Sequence, residues 1–250
     1  MKSYVIEVKT AVDMGSEQFA TSFLHDWFNQ LPPRLHPNRY DKGEPVRKSL
    51  QPENLETATK AWSDLKFPIL LKRTTKPRFQ TSGSASSKKG INNRLFPGEY
   101  TVWLDTNAGD ELALLLFRFL INHCNPAFGA IACYEDKRNK HFVTYRETYP
   151  GGGSAQVEQY VGLGVGETLP GIYWATYFGP WALGKIGREK VLGLKVPNIE
   201  SIGDGLMILA YDELSEIDPV KAHAVEDQIV QSLGKANFFD KSKWRPPNKK

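Results

Sequence analysis

One run of ten residues constrains this chain more than any other. Residues 112–121 (LALLLFRFLI) are apolar except for Arg118. A bilayer span needs roughly twenty apolar residues, so the run is too short for a membrane anchor and reads as a buried helix. Asp110 and Glu111 stand in its first turn, where the helix dipole favours acids, and Asn125-Pro126 stops it. Leu112, Leu114, Leu115, Leu116 and Phe117 leave it hardly any polar face, so it must be covered on most sides. The helix at 110–123 is therefore the expected core of the second half of the chain.

Around it the periodicities alternate between strand and helix. Residues 3–10 (SYVIEVKT) put Tyr4, Ile6 and Val8 on one face and Val5, Glu7 and Lys9 on the other, as a half-buried strand does. Ser16 caps a helix with Phe19, Phe23, Trp27 and Leu31 in one stripe, stopped by Pro32-Pro33. A surface connection at 32–52 precedes a short helix at 53–65 and a strand at 67–72, and the Ser/Gly/Lys-rich segment 81–93 reads as a mobile loop. Further strands are predicted at 100–105, 128–134, 171–178 and 206–211. Helices are predicted at 180–191 and from Asp218-Pro219 to Gly234. The order lacks the regular alternation of a doubly wound sheet. The expectation is α+β: a mixed sheet with helices on one face, leaving open two similar α/β halves. Residues 1–240 read as one domain, with 1–99 its N-terminal part, and 241–250 as a basic tail.

The charge balance divides the chain. Over 250 residues the net charge is +4, but residues 1–100 carry 16 basic and 10 acidic side chains, residues 101–240 carry 11 and 18, and residues 241–250 carry five basic and no acidic ones. An acidic body thus lies between basic ends. Two cysteines, Cys124 and Cys133, are too few for a disulfide scaffold and not spaced for zinc. With no signal-like start, a reducing, cytoplasmic setting is expected.

Motifs for catalysis are missing. Residues 162–167 (GLGVGE) match neither a dinucleotide fingerprint nor a P-loop. Glu7-Val8-Lys9 has the form of a nuclease ExK signature but lacks a preceding aspartate, and an alternating strand explains it. The five histidines form no metal-binding pair, and His25-Asp26 has no nucleophile elbow to serve. Neither catalytic residues, a metal nor a cofactor is expected. The alternative is a small hydrolase or nucleotide-binding enzyme using His25, Asp26 and the 162–167 loop. A nucleic-acid reading through Lys72-Arg73, Lys76, Arg78 and Lys88-Lys89 lacks interleaved aromatics, so nucleic acid is not the expected partner.

Two features remain. Asp204, Asp212, Glu213, Glu216 and Asp218 form an acidic stretch that continues to Glu226 and Asp227. Carboxylates presented where phosphates would sit let a protein compete for a basic cleft, so these five residues are the candidate partner-binding set. The second feature is the run 169–193, containing Tyr173-Trp174, Tyr177-Phe178-Gly179-Pro180 and Gly187-Arg188-Glu189 with Leu192. This run resembles the immunity-52-like family of bacterial polymorphic-toxin immunity proteins, in which a Tyr/Trp strand enters an FGP turn and then a helix. The resemblance implies a cytoplasmic protein, found among systems such as type VI secretion, that binds and neutralises a cognate toxin, often a nuclease. It assigns no catalytic residues. Trp174, Tyr177, Phe178, Gly179, Pro180, Gly187, Arg188 and Glu189 are expected mainly to hold the fold, with the 204–218 segment and the 135–160 insertion at the interface.

Overall fold

The structure is a computed structural model and describes residues 3–84, 98–149, 152–214 and 219–246. In chain order the strands are β1 (Ser3–Thr10), β2 (Arg39–Asp41), β3 (Lys48–Ser49), β4 (Leu70–Arg73), β5 (Phe79–Ser84), β6 (Gly98–Asp105), β7 (Phe128–Cys133), β8 (Phe142–Thr148), β9 (Ser154–Tyr160), β10 (Ala175–Phe178), β11 (Asn198–Ile202) and β12 (Gly205–Leu209). The helices are α1 (Glu17–Gln30), α2 (Leu55–Leu65), α3 (Asp110–Cys124), α4 (Tyr134–His141), α5 (Pro180–Ile186), α6 (Arg188–Leu192) and α7 (Pro219–Leu233). Ten strands form one sheet in the order β11-β12-β10-β7-β1-β6-β5-β4-β2-β3, and β8 and β9 form a separate hairpin.

The class is α+β, as the sequence implies. Two details differ from expectation. Every pairing in the large sheet is antiparallel, so it is not mixed. Helices also cover both faces rather than one, which strand alternation makes plain. Val8 pairs in register with Gly129, where an added Cβ would lie 2.9 Å from the Phe117 ring, so α3 packs on the face of Tyr4, Ile6 and Val8. Glu7 points to the other face, and its carboxylate pairs with Lys137 of α4. The two halves of the chain interleave, because β1 lies between β6 and β7.

On the first face an aromatic cluster joins three helices to the sheet. The Phe23 ring meets Trp27 at 5.4 Å, Trp62 at 5.5 Å, Tyr100 at 5.3 Å and Phe119 at 5.3 Å, mostly edge to face. Such pairs favour tilted geometry, which places the positive ring edge over the negative face. Phe23, Trp27, Trp62 and Phe117 are all fully buried. Ser16 caps α1 by accepting from the Phe19 N–H, as its position before the stripe predicts.

Local chemistry explains the shifted boundaries. The expected strand at 171–178 keeps only Ala175–Phe178. The Thr176 hydroxyl accepts from the Tyr173 N–H at 2.9 Å and donates to the Tyr173 carbonyl at 3.2 Å, which folds the backbone away from the ladder. The expected helix at 180–191 breaks at Gly187, whose φ of +101° is open to glycine and strained for other residues. Of the expected loop at 81–93, residues 81–84 belong to β5 and the remainder lies outside the described residues. The expected tail is partly structured. Within 241–250 the Lys241 ammonium donates to the Asn139 carbonyl at 3.0 Å and Trp244 packs on Tyr145 of β8 at 5.4 Å. Among the described residues no helix is long and apolar enough to cross a membrane.

Candidate functional site

The start of α3 and the segment after β12 build an acidic depression. Asp110 ties the two together: its Oδ1 accepts from the Tyr4 hydroxyl at 2.6 Å and its Oδ2 from the Leu214 N–H at 2.9 Å. The Trp174 indole N–H donates to the Tyr211 carbonyl at 3.0 Å and forms part of the wall. Asp110, Glu111, Leu114, Trp174, Asp212 and Glu213 enclose about 370 Å³. The Tyr4 phenol is raised well above the usual tyrosine range, first by burial and then by the Asp110 carboxylate that holds its proton. Asp110 is spent on these bonds. Among the described residues, the carboxylates of Glu111, Asp212 and Glu213 take part in no hydrogen bond or ion pair, so they are available to an outside cation.

Of the acidic stretch, then, Asp212 and Glu213 come together, joined by Asp110 and Glu111 from a hundred residues away. Asp204 does not join them. It sits in the turn between β11 and β12, at the opposite end of β12, where the Arg188 guanidinium donates to its backbone carbonyl at 3.2 Å. Glu216 and Asp218 lie outside the described residues. Asp110 and Glu111 were legible only as acids at a helix start; nothing local signals that they meet Asp212.

The aromatic run lies in the interior. Trp174, Tyr177 and Phe178 are buried, and the Tyr177 hydroxyl donates to the Ile202 carbonyl at 3.2 Å. Gly179 stands so close to the chain at Pro126 that an added Cβ would overlap the Pro126 carbonyl oxygen. Pro180 occupies the first turn of α5, where no N–H is needed. Gly187 separates α5 from α6, whose first two residues are Arg188 and Glu189.

A second polar system is buried on the other face of the sheet. Lys9 bridges Glu99 at 2.5 Å and Glu7 at 3.5 Å, and Glu7 also pairs with Lys137, giving a row of alternating charges. Burial alone would raise the Glu7 carboxyl, but the Lys9 and Lys137 ammoniums outweigh it and bring it down to about 2. The ExK-like pair is thus an internal ion pair. Nearby, Lys140 of α4 reaches Asp136 at 2.9 Å and Glu226 of α7 at 2.6 Å. Burial pushes the Glu226 carboxyl up to about 7, and repulsion from Asp136 adds to this against the pull of Lys140. Asp136, His223 and Glu226 have the donor atoms to hold a metal ion, all within 4.8 Å of one another. The Lys140 ammonium already bonds one oxygen of each carboxylate, and its single positive charge offsets one of the two negative ones, so a dication would compete with it for these oxygens.

His141 is fully buried, with Nδ1 2.7 Å from the Val161 carbonyl and Nε2 2.6 Å from the Tyr173 hydroxyl. One neutral tautomer satisfies both contacts, and burial depresses its pKa to about 4. The His25-Asp26 pairing expected for an enzyme does not form. Asp26 instead binds His123 Nε2 at 2.9 Å, while His123 Nδ1 faces the Phe119 carbonyl at 2.9 Å, so neither ring nitrogen is left to activate a nucleophile. The 162–167 loop is not beside them either. Gly162 lies against Phe239, which stacks on His141 at the C-terminal end of α4, on the opposite face of the sheet from α1.

No known protein-family model matches the chain, and no curated protein matches its sequence. Among solved structures the fold is similar to that of a Pseudomonas aeruginosa T6SS protein, PA0821. The TM-score is 0.57 with 13% identity, and the match covers 95% of this chain and 73% of that one. At this identity the likeness is one of fold.

Proposed function

We propose that this protein is an immunity protein that binds a cognate secreted bacterial toxin in a stoichiometric complex and blocks its active site or substrate groove. The observation that carries the reading is the acidic depression, where three carboxylates without a partner among the described residues line an open cavity. Such a surface suits the basic groove of a protein that acts on a polyanion, because charge complementarity raises the association rate and selects the partner. Two further observations support it: the immunity-like run 173–192, and the similarity of the fold to that of a protein named for T6SS. The protein acts by binding and not by catalysis, in the cytoplasm, as one domain.

The test is association with the toxin encoded beside its gene. Wild-type protein should form a 1:1 complex and abolish toxicity. The charge reversal Asp212→Lys/Glu213→Lys should weaken binding at least tenfold, mainly through the association rate and most at low salt, with the thermal unfolding of the free protein unchanged. A complex indifferent to that reversal removes the acidic depression from the interface; no complex at all removes the reading. A ligand screen separates this from an enzyme, since a nucleotide or divalent metal at 100 times its Kd would stabilise the protein by about 2.7 kcal/mol.

A further inference from the structure

The half of the sheet formed by β4, β5 and β6 carries an open basic depression on the face opposite the aromatic cluster. Lys72, Gln80 and Trp103 stand in one row across three strands, in register with Val5 of β1. Lys72, Arg78, Gln80, Trp103 and Asp105 help to enclose about 410 Å³. Trp103 is 37% exposed, whereas Trp27, Trp62 and Trp174 are fully buried. Among the described residues the Lys72 ammonium, the Arg78 guanidinium and the Trp103 indole N–H have no partner. All three groups are donors. Asp105 accepts from the Asn107 N–H and is itself nearly buried.

We infer that this depression is a site for single-stranded nucleic acid, in which a base stacks on Trp103 and flanking phosphates meet Lys72 and Arg78. A surface of unpaired donors calls for a ligand rich in acceptors and negative charge. The indole narrows the choice, because its face is itself electron-rich and does not welcome a bare anion. It does welcome a second π-system. Lys72 and Trp103 are two strand spacings apart, about 10 Å, which separates a ring from a charge as one nucleotide strand does. A duplex offers no free base face, whereas an open sheet bearing an aromatic ring and flanking cations is the arrangement that holds single strands. The cavity is also of the size that takes one small ligand unit. Trp103 is far from Lys72 and Arg78 in sequence, so no linear motif joins the aromatic to the basic segment. The site is independent of the immunity reading and of the acidic depression.

Fluorescence anisotropy with labelled dT12 and rU12 on the full chain tests it. Wild-type protein should bind in 50 mM salt and lose affinity steeply as salt rises. Trp103→Ala should weaken binding at least fivefold without changing the salt dependence, and Trp103→Phe should retain most of it. Lys72→Gln/Arg78→Gln should reduce the slope of log K against log salt by about 1.4, about 0.7 for each phosphate no longer neutralised. Asp212→Lys/Glu213→Lys should not weaken binding. Absence of binding at 50 mM salt, or Trp103→Ala and Lys72→Gln/Arg78→Gln proteins that bind as wild type does, overturns the proposal. So does a polyglutamate of equal charge that competes as well as the oligonucleotide, which would assign the surface to an acidic protein partner.

Discussion

Replacing Glu7 by glutamine should destabilise the protein at pH 7 far more than at pH 3. The Glu7 side chain is 5% exposed and lies between the ammoniums of Lys9 and Lys137. Its carboxyl falls from the ordinary value of 4.5 to about 2 on folding. Between those values the unfolded chain binds more protons than the folded one, so stability rises with pH through that window. The contribution is complete above pH 4.5 and is lost as pH falls towards 2. At 1.36 kcal/mol per pH unit the full window amounts to about 3 kcal/mol, of which about 1 kcal/mol survives at pH 3. Glutamine has the shape of the protonated acid and no titration, so the variant and wild type should converge on acidification. The pH 7 figure agrees with the roughly 3–5 kcal/mol lost when one member of a buried pair is removed. Urea unfolding followed by circular dichroism at both pH values measures the gap. An equal loss at pH 7 and pH 3, or a glutamine variant as stable as wild type at pH 7, would refute the reasoning.

Phe23→Ala should cost about 3–5 kcal/mol, because it empties the point where α1, α2, α3 and β6 meet; urea midpoints at constant m-value check it. Gly179→Ala should lower stability by more than about 1 kcal/mol, since the new methyl overlaps the Pro126 carbonyl. In a chain of this length that is a fall in Tm of about 2–4 °C or more, and a rise in Tm would show that the β10–α5 corner yields.

The elements legible in sequence are those whose burial repeats along the chain. β1, α1 and α3 stand within a residue or two of expectation because Tyr4/Ile6/Val8, Phe19/Phe23/Trp27 and the 112–121 run each carry a period. β5 (FQTSGS) and β11 (NIESI) do not, since polar side chains on strands near an edge or under an open face leave no alternation. The long strand expected through Gly171–Phe178 failed at Thr176, whose hydroxyl competes for the Tyr173 backbone. At the candidate site, Asp212 and Glu213 stood out as part of an acidic stretch. Asp204 shared the stretch but not the place, because β12 carries the chain to the other end of the sheet.

By itself the sequence determined which segments must be buried, the α+β class, the absence of a familiar catalytic motif and the division of charge into basic ends and an acidic body. These are local properties, set by side-chain periodicity and residue type. Tertiary structure alone decided that β1 lies between β6 and β7, that Glu7 and Lys9 neutralise each other inside, and that Asp110 meets Asp212. It also decided that Trp103 shares a depression with Lys72 and Arg78. Each of these depends on strand order and register, which are selected by contacts between residues distant in the chain, and no local pattern encodes them.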